Sequence, residues 1–197
     1  FHLTFDGSYA WTNAGVKLYI DDIEQGSPEM IGNTNYGDEY VVVSWIIGIT
    51  GTTSASNITL DDWTDNKTIK IKVKERDPAR ESRAHLAGSY STSIGSDTIL
   101  IPQIEIIAIG KKEQEGILVT TKTQTKHGQL LETLAGICDG RTVTVESGTY
   151  TFQNITTGSR ITNNTWTLIP GSTINYKPPM GTKQVIYNFI VNCAGVV

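Results

Sequence analysis

Cysteine and histidine are scarce in this chain, and each scarcity closes a class of function. Two cysteines, Cys138 and Cys193, in 197 residues cannot hold a disulfide-rich scaffold; they can pair once, as a possible disulfide, or stay reduced. The three histidines, His2, His85 and His127, fall in no metal-ligand spacing. There is no His-x-x-x-His pair and no Cys-x-x-Cys, so no metal site and no cofactor are expected. No Gly-x-Ser-x-Gly elbow, P-loop or dinucleotide fingerprint occurs, and no catalytic residue is singled out. A formal net charge of -4 gives no basic footprint for nucleic acid. No apolar run reaches the roughly 18–20 residues that span a bilayer, so membrane insertion is not expected. No signal-peptide pattern is present. The chain opens on Phe1 rather than Met, which reads as a fragment, a processed product or part of something longer.

What remains is a chain rich in Gly, Thr and Asn with modest hydrophobic content, a composition that suits a turn-rich all-β protein. Alternation supports this. Thr68–Lys74 sends Ile69, Ile71 and Val73 one way and Lys70, Lys72 and Lys74 the other. Glu39–Ile49 is nearly continuous in apolar β-branched residues and reads as a strand buried on both faces. Thr98–Ile109 carries six isoleucines around Pro102, which marks an edge or a bulge. Val143 and Val145, with Tyr150 and Phe152 after the Ser147-Gly148 turn, mark a hairpin. Trp166 and Leu168, then Ile174 and Tyr176, mark a second, and Val185–Val191 a long last strand. One helix is expected near 129–138, because Leu130, Leu131, Leu134 and Ile137 share a helical face and Gly140 follows as a stop. The charged stretch after Gly110 divides the chain into 1–109, a linker or extended arm at 110–126, and 127–197.

Candidate contact residues are few. The row Lys70, Lys72 and Lys74 suits an anionic partner such as a sulfated or sialylated glycan, or is simply a solvated, protected edge. Trp11, Trp63 and Trp166 are flanked by polar residues and are candidate sugar platforms, or core. Asp61-Asp62-Trp63-Thr64-Asp65 lacks the alternating ligands of a calcium loop and reads as a turn. Four sequons make Asn57, Asn66, Asn154 and Asn163 candidate glycosylation sites.

Three passages of the first part resemble the later strands of a tumour-necrosis-factor/C1q-like jelly roll. They are Asp38–Trp45, Leu60–Lys72 and Ile101–Ile106. Leu131–Val145 through Val185–Phe189 resembles the opening half of the same domain. The likeness is to versions encoded by large DNA viruses of algae and protists and by some marine phages. It covers most of the chain, but in reversed order: the later half precedes the opening half. The two halves are therefore expected to complete one antiparallel jelly-roll β-sandwich, in permuted order or by strand exchange between subunits. The resemblance implies a homotrimer on the virion surface, a spike or fibre head that binds a host receptor or glycan beside other virion proteins and has no catalysis. Tyr40, Trp45, Tyr176, Tyr187 and Phe189 are the candidates for its subunit interface, each also an ordinary core residue.

Two alternatives belong to other classes. A monomeric carbohydrate-binding module of a secreted protein shares the sandwich and uses exposed Trp platforms. A tailspike-like enzyme that degrades polysaccharide is suggested by Asp139–Phe152, which resembles the first coil of a pectin-lyase-like β-helix. That fold needs many coils of roughly 20–25 residues, and no repeat follows.

Overall fold

The computed structural model describes residues 12–33, 38–49, 58–60, 62–75, 81–87, 98–110, 128–161 and 165–196. Among them every regular element is a strand. The first segment contributes β1 (Thr12–Ile20), β2 (Ile23–Asn33), β3 (Asp38–Ile49), β4 (Ile58–Leu60) and β5 (Lys67–Glu75). It continues with β6 (Glu81–Ala84), β7 (Leu86–Ala87), β8 (Thr98–Ile99) and β9 (Gln103–Gly110). After it come β10 (Gln129–Ile137), β11 (Thr142–Val145), β12 (Gly148–Thr151) and β13 (Ser159–Ile161). The last are β14 (Thr167–Leu168), β15 (Ile174–Tyr176) and β16 (Thr182–Val196).

These strands build an antiparallel β-sandwich of the jelly-roll kind. The small sheet runs β14-β5-β1-β2, with β15 beside β14 along the same edge of β5. The large sheet runs β10-β9-β16-β3-β4, with β6 and β13 continuing it beyond β9 on the same edge of β16. Only the short β3–β4 pair is parallel among the described pairings. Strand β16 is central: β3 lies along one edge, β9 and then β6 along the other. Strands from either side of 111–127 thus share both sheets within one chain. Apart from Gly110, the expected linker at 110–126 lies outside the described residues.

Alternation explains the packing. Val16, Leu18 and Ile20 of β1 and Ile69, Ile71 and Val73 of β5 point inward from the small sheet. Val43, Trp45 and Ile47, Ile104 and Ile106, and Val185, Tyr187, Phe189 and Val191 meet them from the large sheet. The β1–β2 hairpin closes on a two-residue turn, Asp21 (φ 49°) and Asp22 (φ 66°). Both central residues of such a turn need positive φ, which Asp tolerates better than most.

Three expectations are corrected. Gln129–Ile137 form β10, not the helix expected near 129–138: Glu132, Leu134, Gly136 and the following Cys138 point inward, while Leu130 is exposed. The ring of Phe152 lies so close to Gly136 that a Cβ there would meet its Cε2 at 2.5 Å. The second hairpin does not exist, since β14 and β15 each pair with β5 and not with each other. Strand β3 is not buried on both faces: Val42 is 54% exposed and Ser44 is exposed as well. Gly26, Ser27 and Pro28 lie within β2, where the register to β1 shifts.

Candidate functional site

The outer face of the small sheet is built by β1 and β5 in register, with Lys17 opposite Lys72 and Tyr19 opposite Lys70. Inward burial of Ile69, Ile71 and Val73 forces Lys70, Lys72 and Lys74 outward. The lower end of this row is neutralised by the β1–β2 turn. Asp21 pairs with Lys67 at 3.4 Å and accepts the Thr68 N–H at 2.8 Å, and Asp22 pairs with Lys70. The Lys70 ammonium also holds the Asp22 carboxyl below the usual range. Lys17 pairs with Glu24 at 2.5 Å. Burial, and then the charge of Glu24, raise the Tyr19 hydroxyl above the ordinary phenol value.

The upper end of the row differs. Lys72 sits 4.2 Å from the Tyr19 ring centroid, and Lys74 lies 6.0 Å from that of Trp166. Lys17 also reaches over the Trp166 ring, at 4.6 Å. Among the described residues neither Lys72 nor Lys74 meets a carboxylate. Trp166 is half-buried just ahead of β14, where the pairing of Thr167 with Val73 sets it beside Lys74. The expected contacts Lys70, Lys72, Lys74 and Trp166 therefore converge on one face. Trp63 does not join them. It is buried, donates its indole N–H to the Tyr176 carbonyl at 3.0 Å and meets the Tyr176 ring edge-on. Asp62 and Asp65 on either side of it are exposed, and Trp11 lies outside the described residues.

The outer face of the large sheet is aliphatic. Ile46, Ile186 and Ile107 stand side by side across β3, β16 and β9, and Val42 stands beside Ile190. Between these rows runs a polar ladder. Ser44 donates to the Asn188 side-chain oxygen at 2.6 Å, and the Asn188 amide donates to Glu105 at 2.8 Å. Of the interface candidates, Trp45, Tyr187 and Phe189 lie on the inward side of these strands, and Tyr176 lies on β15 of the small sheet. Trp45, Tyr176, Tyr187 and Phe189 are core residues, corrected from a subunit face by burial of 98% or more within the chain's own sandwich. The Tyr40 side chain lies outside the described residues. Alternation alone does not single out these outward isoleucines, because β3, β9 and β16 carry aliphatic residues in both phases; the mark in the sequence is the second set itself.

The buried polar groups hold the sandwich together. Glu132 accepts hydrogen bonds from the Tyr176 hydroxyl at 2.9 Å, the Ser147 hydroxyl at 2.6 Å and the Ser147 N–H at 2.8 Å. Burial, helped by Glu132, keeps Tyr176 neutral far above the ordinary phenol range. The segment between β14 and β15 is a second hub. Ser172 replaces the interrupted ladder, accepting from the Ile71 N–H at 3.1 Å, and its carbonyl accepts the Tyr187 hydroxyl from the opposite sheet at 2.5 Å. His85 donates from Nε2 to Pro170 at 2.9 Å, while its Nδ1 and the buried Asn192 amide have no hydrogen-bond partner among the described residues. Burial lowers the His85 pKa to about 4. Cys138 is a free thiol that donates to the Gly171 carbonyl at 3.2 Å, so the possible disulfide with Cys193 is not formed. Burial, then the charge of Asp139, push that thiol up to about 12, which makes it a poor nucleophile. The Cys193 side chain lies outside the described residues.

Of the sequon residues, Asn66 and Asn154 are exposed, and Asn57 and Asn163 lie outside the described residues, as do His2 and His127. Among the described residues no three His, Cys, Asp or Glu side chains gather as a metal site would require. Among the described residues no helix is long and apolar enough to cross a membrane. No family model, curated protein or solved structure matches this chain.

Proposed function

We propose that this chain is a non-enzymatic structural protein, the head domain of a trimeric spike or fibre that attaches a virion to its host. The observation that carries the reading is the outward aliphatic face of β3, β16 and β9, with Val42, Ile107, Ile186 and Ile190 directed away from the core. Val42 is exposed and Ile107, Ile186 and Ile190 are half-buried, and apolar surface gathered on one sheet face is a mark of a protein–protein interface. A second copy of the chain is the occupant this reading assigns to it. The virion setting rests on the resemblance of the strand passages to the tumour-necrosis-factor/C1q-like domains of viruses. The buried titratable groups support a structural role, because Glu132, His85 and Cys138 are all engaged in holding strands and turns together.

Native mass by light scattering, beside the mass of the denatured chain, tests the assembly. A trimer is expected for the wild type. Ile186→Glu places a charge at the middle of the face and should weaken assembly by about 2 kcal/mol or more, roughly thirtyfold, the scale of an interface hot spot. A wild-type monomer at micromolar concentration would sink the trimer. It would turn the reading to a monomeric carbohydrate-binding module, which the half-buried Trp166 among lysines favours.

A further inference from the structure

We propose that Lys72 and Lys74, together with Lys17 and Trp166, bind a sulfated linear glycan along the outer face of β5. The proposal rests on the attachment reading for its biological role, and gives that role a ligand class and a place. Among the described residues four lysines stand on this face, Lys17, Lys70, Lys72 and Lys74, and of these only Lys17 and Lys70 are answered there by carboxylates, Glu24 and Asp22. The other two meet aromatic rings instead. A ring quadrupole attracts an ammonium group without cancelling its charge. The upper half of the face therefore stays cationic on a chain whose formal net charge is -4.

The rings also restrain the long side chains. Trp166 is shared by Lys17 and Lys74, and Tyr19 by its carboxylate partner Glu24 and by Lys72. Side chains already ordered lose less freedom when a ligand arrives. The geometry selects a repeating anion. Alternate residues on a strand are about 6.8 Å apart, and neighbouring strands about 4.8 Å. Lys72 and Lys74 thus present two cations along β5, with Lys17 and its Glu24 partner across from them, which suits a polymer with an anion on successive units better than a chain with one terminal acid. Leu168, opposite Lys72 and exposed, and the Trp166 indole supply apolar surface for the sugar rings.

A heparin-derived octasaccharide titrated into the full chain by calorimetry tests this, with the desulfated octasaccharide as the paired probe. The wild type is expected to bind the sulfated probe in low salt, more weakly in high salt, and not to bind the desulfated one. The double variant Lys72→Glu/Lys74→Glu should bind about tenfold more weakly or worse, since two favourable ion contacts become repulsive. Lys183→Glu, an exposed lysine on the large sheet, should bind as the wild type does. If charge reversal unfolds the chain, Lys72→Ala/Lys74→Ala carries the same expectation at smaller size. Absence of wild-type binding, equal binding of the desulfated probe, or undiminished binding by a folded double variant would each overturn the site. Native mass on the same samples separates this from the assembly reading. A monomer whose binding depends on Lys72 and Lys74 keeps the site and loses the trimer, and a trimer indifferent to the sulfated probe does the reverse.

Discussion

The outer face of β5 and β1 carries lysines over aromatic rings, whereas the outer face of β3, β16 and β9 carries isoleucine, valine and the Ser44–Asn188–Glu105 ladder. Inside, the two sheets are alike, with branched aliphatics and aromatics from both meeting in one core. Folding constrains the inward phase of each strand, because burying an apolar side chain contributes about 1.5–3 kcal/mol and burying an unpaired charge is costly. It leaves the outward phase nearly open. Two outward faces so different in chemistry on one sandwich point to two different occupants, one apolar and one anionic.

The comparison breaks most completely from the inside. Phe189 is fully buried on β16, the strand shared by both edges of the large sheet, and its ring meets His85 edge-on. Phe189→Ala should cost ~3–5 kcal/mol in urea unfolding and weaken both faces together, since each depends on the same core. A loss confined to one face would show that the sheets are held independently.

The next effect is set by acid. His85 sits at positive φ (66°) where β6 gives way to β7, and its Nε2–H donates to Pro170 at the edge of the small sheet. Its pKa is lowered to about 4 in the folded chain by burial, against an ordinary value of about 6.5 unfolded. Its contribution is therefore fully present above pH ~6.5 and is lost as pH falls toward about 4, where the unfolded chain has taken a proton that the folded one refuses. The loss amounts to about 3 kcal/mol. His85→Asn removes the titration while keeping a residue that accepts positive φ. The stability gap between wild type and variant should narrow by about that much from neutral pH to pH ~4, carboxylate titrations being common to both. A gap independent of pH would mean that the imidazole stays solvated.

How far the sequence could carry the fold differs element by element. Strands β5 and β16 are plain in the alternation of their residues, and β3 in its continuous apolar run. Strand β10 is not, because its inward phase contains Glu132 and Gly136, and the aliphatic Leu130 points out. Glu132 is tolerated there only because Tyr176 and Ser147 supply donors from distant strands, and Gly136 only because Phe152 fills its space. Neither partner is visible in a local window. The same holds for β14 and β15, whose shared partner β5 lies about a hundred residues away in the chain, as in the pairing of Ile174 with Ile69. On β3 and β16 the local pattern had no way to choose between an aromatic phase and an aliphatic one. The larger aromatics turn inward, where they fill the space between sheets. On β5 the choice was never in doubt, since lysine fixes the outward phase. The candidate basic face was thus legible in its lysines, and hidden in the rings that organise them.

The smallest effect sharpens the comparison most finely, because it separates those rings from the charges they carry. Trp166→Leu removes the surface over which Lys17 and Lys74 lie but leaves both ammonium groups and the Lys17–Glu24 pair. The expected cost is about 0.5–1 kcal/mol in stability, the scale of an exposed cation–π contact. Affinity for the sulfated octasaccharide should fall roughly two- to fivefold as the lysines lose their restraint, well short of the effect of reversing Lys72 and Lys74. The native mass should not change, because the aliphatic face lies on the other sheet. Should Trp166→Leu instead abolish binding while the lysine variants retain it, the ring would be the ligand's platform and the lysines its frame. The small sheet would then be a sugar-stacking surface, and its positive charge incidental.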